Sequence, residues 1–260
     1  MVTFANESPD YRAARDRLLQ SEIALRRQME AVAAERRSLP PGPLVGQDYV
    51  FERIGSDGQP AKILLSDLFA AGTTSLFIYN MMFPRHQADD RPQPSTGPLA
   101  ALPREETPCP SCTALLDQLN AAAVHFRAAG FNFAVVAQAP IERVAAFAAQ
   151  RGWSNLVMLS SAGSSFKKDF NALFDDGQLG PMTHVFQKAP EGIRHFWSSE
   201  MLFAGADPGQ DPRPQGTIEP LWNMMDLMPE GRPDFNEQVE YPCCHAGKSG
   251  SEEAAAKQAG

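Results

Sequence analysis

Apolar residues along this chain follow two periodicities, and each predicts a different kind of element. From Pro9 to Arg37, Leu18, Leu25, Met29 and Val32 are spaced by seven, four and three positions with charges between them, the stripe of an amphipathic helix. Pro40, Pro41 and Pro43 end it. Residues 48–69, DYVFERIGSDGQPAKILLSDLF, read as two short strands about the turn Gly55-Ser56-Asp57-Gly58, followed by a helical turn capped by Ser66. Thr74 to Phe83 is nearly continuous apolar and aromatic, as a strand buried on both faces of a mostly parallel sheet must be.

The pattern breaks after Phe83. Residues 84–108 carry six prolines and little periodic apolar pattern, which reads as a surface insertion. From Cys109 onward, Leu115, Leu119, Val124 and Phe126 lie on or near one face of a helix that Gly130 stops. Residues 131–138 (FNFAVVAQ) form a second buried strand, 139–152 a second helix and 155–161 (NLVMLSS) a third strand, and this alternation implies parallel crossovers. Residues 183–198 then alternate apolar and polar around Ala189-Pro190-Glu191-Gly192, the mark of an antiparallel hairpin. Two parallel crossovers closed by a hairpin make an α/β chain of thioredoxin-like order. The expected organisation is a helical extension over 1–38, the thioredoxin-like domain over 39–235 with its insertion at 84–108, and a polar tail over 236–260 with the composition of a disordered segment.

Charge and length restrict the function. The chain has 260 residues, enough for one domain with additions. Asp and Glu outnumber Lys and Arg by 31 to 23, and the formal net charge of −8 works against a nucleic-acid partner. No window approaches the roughly 18 apolar residues of a membrane span, and no apolar run follows basic residues at the start. The expectation is a cytoplasmic protein without a membrane partner.

The four cysteines are too few for a disulfide scaffold, and in a reducing compartment paired cysteines point to redox chemistry or metal. Cys109-Pro110-Ser111-Cys112 stands at the predicted start of a helix. There the first sulfur should face solvent with the second beneath it, and unpaired backbone N–H groups and the helix dipole should favour the thiolate. A fall in the Cys109 pKa from about 8.5 to about 7 would raise the thiolate fraction at neutral pH from a few per cent to roughly half. Pro110 suits the first helical position, where no N–H is needed. The expected roles are Cys109 as attacking thiolate and Cys112 as resolving thiol. A zinc site would need two further ligands, and the chain has no second Cys-x-x-Cys and no His-x-x-x-His.

With these residues in view, the chain resembles a thioredoxin-like bacterial family catalogued as domain of unknown function 899. The matching stretches are YNMMF (79–83), CPSC (109–112), AP with the following helix and GW (139–153), LSSAGSSFKKDF (159–170) and DLMPEGR (226–232), covering most of residues 44–232. The resemblance implies a thioredoxin-like fold and a dithiol at Cys109 and Cys112, and it brings no substrate. The insertion before Cys109 is longer than the family leads one to expect, and YPCCH stands where an aromatic and basic ending would. Thioredoxin itself has proline immediately before its second cysteine, where this chain has Ser111. Thioredoxin-like proteins also place a cis-proline against the dithiol, and Pro181, at the opening of the hairpin, is the candidate. Pro103, Thr107 and Cys109 approximate the peroxiredoxin proline, threonine and cysteine, with the threonine one residue too close.

Other residues carry bland and sharp readings together. Ser164 and Ser165 read as helix caps. His86 reads as a solvated loop histidine, and Met224, Met225 and Met228 as the packing face of a helix. His184 would reach the sulfurs only if its side chain pointed that way. Cys243 and Cys244, followed by His245, either exchange with the Cys109–Cys112 pair or have no role. The main expectation is a dithiol–disulfide oxidoreductase that needs no cofactor, with a protein or small-molecule disulfide as substrate and a reductase as partner. The alternatives are a soft-metal protein using Cys109, Cys112 and either His184 or Cys243 and Cys244, and a non-catalytic interaction protein dimerising through the first helix.

Overall fold

A computed structural model of the chain describes residues 2–208, 210 and 213–241. It divides into two units, Met1–Gly42 and Pro43–Gly260. The first is built on α1 (Pro9–Arg37). Ser8 caps it by accepting from Tyr11 N at 3.1 Å, Pro9 sits at the first position, and Arg36 and Arg37 lie in the last turn, each where the orphan groups and dipole of a helix favour it. No residue of α1 is buried, and its predicted stripe of Leu18, Leu25 and Met29 is exposed. Among the described residues no helix is long and apolar enough to cross a membrane.

In the second unit the described residues form a seven-stranded sheet in the order β2-β1-β5-β4-β3-β6-β7. The strands are β1 (Val50–Ile54), β2 (Pro60–Leu64), β3 (Ser75–Asn80), β4 (Asn132–Ala137), β5 (Val157–Ser160), β6 (Met182–Ala189) and β7 (Gly192–Ser198). β3, β4 and β5 are parallel neighbours, joined through α2 (Pro110–Ala128) and α3 (Ile141–Arg151). β6 and β7 form the antiparallel hairpin on the far side of β3, and β1 and β2 form a second hairpin against β5. The fold is a thioredoxin-like α/β fold, as its two crossovers and closing hairpin require.

Alternation along the central strands divides the core between the two faces of the sheet. Tyr79, Met81, Phe83, Phe133 and Val135 pack with Leu115, Leu116, Val144, Phe147 and Trp153 of α2, α3 and the turn after it. Leu76, Ile78, Ala134, Val136, Leu159 and Phe186 pack on the other face with Phe51, Leu65 and Phe166. All six residues of β4 are buried, which explains its apolar run from Phe133 to Ala137, and the buried Asn132 is satisfied by bonds to Ala70 N, Thr73 Oγ1 and Ser75 O. Gly152 ends α3 in the left-handed region at φ 71°, turning the chain so that Trp153 N reaches Ala148 O at 2.9 Å.

Four expectations need correction. Ser66 does not cap the turn Leu65–Leu68; its N and Oγ both bind the Asp48 carboxylate, a charged acceptor that outcompetes a cap. Met224 and Met228, in and just after α5 (Pro220–Met225), are exposed rather than packed. Residues 84–108 are not merely a surface insertion, because Arg85, Leu99 and Thr107 are buried in them. Nor does the tail begin at Asn236: Glu237 and Val239 are buried, and Glu240 accepts from Ser95 and Thr96. Cys243, Cys244 and His245 lie outside the described residues.

Candidate active site: a dithiol between an arginine and a lysine

The dithiol is docked on the end of β3. Beyond Asn80 the chain continues through Met81, whose N–H donates to Val136 O, and Phe83, whose carbonyl accepts from Gln138 N and Ala139 N. Residues 84–108 then loop out and return, Arg85 N donating to Thr107 O at 2.8 Å and Cys109 N to Met82 O at 2.9 Å. Cys109 is the N-cap of α2 and Pro110 its first residue, as the sequence requires. Thr113, one turn on, donates through Oγ1 to Cys109 O.

The two sulfurs meet different surroundings. Cys112 Sγ accepts from Tyr79 OH at 3.2 Å and from Met82 N at 3.5 Å. Burial pushes the Cys112 thiol well above its ordinary pKa, with the neighbouring Cys109 sulfur acting in the same direction. Burial likewise raises Tyr79, which keeps it a neutral donor. Cys109 moves the opposite way, down to about 7. Its largest cause is the hydrogen bond from the Cys112 thiol, followed by the Cys112 backbone N–H and the charge of Arg91, against burial and Asp89. The two sulfurs are thus shifted in opposite directions, Cys109 toward the thiolate and Cys112 toward the thiol.

Cys109 is not solvent-facing as the sequence suggested: its exposure is 1%. The segment expected to be peripheral covers it. Arg91 Nη2 donates to Cys109 Sγ at 3.7 Å, and Arg91 Nη1 to Ser111 Oγ at 2.8 Å. Asp89 grips the same guanidinium through Nε at 2.9 Å and Nη2 at 2.7 Å. Behind it, buried Arg85 donates to Arg91 O. From the C-terminal side, Glu237 accepts from Ser111 Oγ at 2.9 Å and its carbonyl accepts from Arg91. Against the opposing effect of burial, Asp89, the Cys109 sulfur and Glu237 raise the Arg91 pKa, so the cation stays charged.

A lysine approaches from the other face of the sheet. Lys167, in α4 (Phe166–Asp169), is 0% exposed, and its Nζ donates to Met81 O at 3.1 Å. Burial lowers its pKa to about 7, offset in part by Cys112. The N-cap of this short helix is Ser165, which makes no side-chain cap bond and instead donates through Oγ to Asp169, while Ser164 Oγ, one residue earlier, accepts from Phe166 N at 3.3 Å; neither serine caps the helix as the sequence suggested. Sequence reasoning singled out YNMMF and SSFKKDF as motifs without assigning Tyr79, Met81, Met82 or Lys167 to the site. Arg91, Asp89 and Glu237 carried no signal beyond their charge.

The remaining candidates do not converge on the sulfurs. The cis geometry on which the assignment of Pro181 rested is absent, as the common trans preference of X–Pro bonds favours; its carbonyl accepts from Gln215 Nε2 at 2.7 Å, and the cis bond among the described residues is Phe83–Pro84. His184 pairs with Ile78 in the β3–β6 register, which puts it on the face opposite Tyr79. Its Nδ1 contacts Ser198 Oγ, its ring packs among Phe166, Phe170 and Phe186, and burial drives its pKa down to about 3. His86 is exposed, accepting from Ala88 N. Among the described residues no group of three or more His, Cys, Asp or Glu side chains could hold a metal.

Fold and site together define a thioredoxin-like protein with a buried, helix-capped dithiol. Residues 1–246 match the family described as "Bacterial protein of unknown function (DUF899)", and the chain belongs to that family. The match extends beyond residues 44–232 to take in α1 and Cys243–His245. No curated protein matches the chain. Among solved structures, it is similar to the mitochondrial 2-Cys peroxiredoxin of Plasmodium falciparum, at 11% identity and a TM-score of 0.40 over 73% of this chain and 96% of that one. Peroxiredoxin Q of Xanthomonas campestris is similar at 16% identity and a TM-score of 0.38, over 60% and 83%. An uncharacterized conserved protein of Geobacillus kaustophilus is similar at 15% identity and a TM-score of 0.41, over 76% and 87%.

Proposed function

We propose that the protein is a dithiol oxidoreductase. The observation that carries this reading is the contrast between two adjacent sulfurs, Cys109 lowered to about 7 under Arg91 and Cys112 held protonated beneath it. The Cys109 thiolate attacks one sulfur of a substrate disulfide, forming a mixed disulfide and releasing the first product thiolate. Cys112, deprotonated, then attacks Cys109 Sγ; the Cys109–Cys112 disulfide forms and the second product thiolate leaves. Two electrons have passed to the substrate, and a reductase dithiol restores the pair. The burial of Cys109 favours a small disulfide over a folded protein, and a cleft of about 410 Å³ lined by Ser111, Trp222, Arg232, Phe235 and Glu237 opens beside the first turn of α2.

The test is turnover of a small disulfide in the presence of dithiothreitol, together with intact-mass measurement. The oxidised protein should be lighter by the two thiol hydrogens, Cys109→Ser should be inactive, and Cys112→Ser should retain half of the substrate as a mixed disulfide. Equal turnover by wild type and Cys109→Ser would reject the reading, and bound copper or zinc in the native mass would favour the soft-metal alternative. A second reading, reduction of a hydroperoxide, is favoured by the same closure of Cys109, since a two-oxygen oxidant needs less room than a disulfide. In that case the Cys109 thiolate attacks the peroxide, the O–O bond breaks, one oxygen stays on sulfur as a sulfenic acid and the other leaves as an alcohol or water; Cys112 then condenses with the sulfenic acid to form the disulfide and release water. Hydrogen peroxide in place of the disulfide distinguishes the two.

A further inference from the structure

Lys167 is a fully buried lysine with no carboxylate partner among the described residues, an arrangement that is costly unless something compensates it. Its Nζ bonds Met81 O, and the N–H of the very next residue, Met82, bonds Cys112 Sγ. Carbonyl and N–H belong to one peptide unit, the planar group between Met81 and Met82. Lysine and thiol thus sit at opposite ends of a single amide dipole, lysine on the face of Phe166 and thiol on the face of Tyr79. A cation on the carbonyl polarises the amide and strengthens its N–H as a donor to sulfur.

We propose that Lys167 is a positioning residue for the resolving step, matching the negative charge that develops on Cys112 through the Met81–Met82 peptide. The inference rests on the dithiol reading. In the amine form that burial favours, a neutral Lys167 faces a neutral thiol. When Cys112 loses its proton, one is taken up at Lys167 Nζ, so that the buried pair is neutral before and after. The Cys112 thiolate attacks Cys109 Sγ, the bond from Cys109 to the bound product breaks, and the product leaves as a thiolate. With the disulfide formed, the ammonium has lost its counter-charge and its proton returns to the departing thiolate through solvent.

The groups around Lys167 agree with this. Cys112 on α2 is the charge that favours its protonation. Tyr79 on β3 is neutral and bound to Cys112. His184 on β6 is held neutral by burial, with the charges of His195 and Lys167 acting in the same direction. On its own helix, Asp169 is engaged by Ser165 and Tyr49.

The experiment separates the two chemical steps. The reduced full-length protein is loaded with thionitrobenzoate from the Ellman disulfide, and release of the coloured anion by Cys112 is followed by stopped flow from pH 5.5 to 10; loading alone is followed in Cys112→Ser. Lys167→Met should slow release at pH 7 by about tenfold and move its pH midpoint upward by about one unit, while loading changes less than twofold. Lys167→Arg, with a guanidinium that does not titrate in this range, should keep fast release and lose the lysine-dependent limb of the profile. Release by Lys167→Met with the wild-type rate and midpoint overturns the inference and leaves the dithiol reading standing, as does a wild-type profile in Lys167→Arg should Lys167→Met fail to fold. Failure of Cys109 to load at all overturns both.

Discussion

At the scale of single residues, the site is a contest between burial and neighbours. Burial alone would raise both thiols, yet Cys109 falls to about 7 because the Cys112 thiol, the Cys112 N–H and Arg91 all favour its thiolate. Arg91→Met should therefore raise the apparent pKa of Cys109 by about one unit, read from thiolate absorbance near 240 nm, while Cys112 stays silent below it. An unchanged midpoint would mean that Arg91 serves only to tie residues 84–108 to the site. Lys167 shows the opposite balance: burial dominates and brings an ammonium down to about 7.

At the scale of elements, two segments without regular structure complete what the helix and strand begin. Residues 84–108 carry Arg91 to Cys109, and residues 236–241 lay Glu237 against Ser111 and Val239 into the core. Truncation after Phe235 is expected to leave the sheet intact but open the dithiol, so that iodoacetamide alkylates Cys109 several-fold faster; an unchanged rate would show that the tail does not cover it. α4 is only four residues long and is held by its side chains. Phe166 makes edge contacts with Tyr49 and Phe51 and a tilted one with Phe170. Phe166→Ala should cost about 3–5 kcal/mol in denaturant unfolding and, by loosening the helix that carries Lys167, slow the resolving step.

At the scale of the whole molecule, the buried site makes stability depend on pH. Cys109 has a folded pKa near 7, below the free-thiol value of about 8.5. Its contribution is present above 8.5 and is lost as pH falls through 7. Lys167 is also depressed, from 10.5 to about 7, so its folded state again binds fewer protons and stability again falls as pH drops toward 7, levelling off below. Cys112 acts oppositely, its raised pKa removing stability above about 8.5. The wild-type protein should thus gain stability from pH 7 to pH 8.5, with about 2 kcal/mol of that gain due to Lys167. Lys167→Met should be the more stable protein at pH 7 and show a flatter urea midpoint between the two pH values. An equal pH dependence in both would place the lysine in contact with water.

Most elements, and the position of Cys109 at a helix start, were legible from local sequence alone. The nearly continuous apolar run at 74–83, the run at 131–138, the alternation at 183–198 and the glycine at 130 are local signals, because strand burial and helix termination depend on residues close in sequence. Pro110 after Cys109 likewise marks a helix start by its own geometry. What surrounds the sulfurs was not legible, because it comes from segments distant in the chain. A Cys-x-x-Cys cannot show whether its first sulfur is open or covered, and Cys109 proved covered by residues from 89–91 and 237. A lysine in SSFKKDF reads as a surface charge, since lysines are almost always exposed; that Lys167 is buried beside Phe166 while Lys168 is exposed depends on which side of a four-residue helix is packed, and four residues are too few to show a periodic pattern. Strand pairing sends His184 to one face and Tyr79 to the other, and through the Met81–Met82 peptide it joins a lysine and a thiol that are far apart in the chain. Long-range register has no local signature, so those partners become visible only when the sheet is assembled.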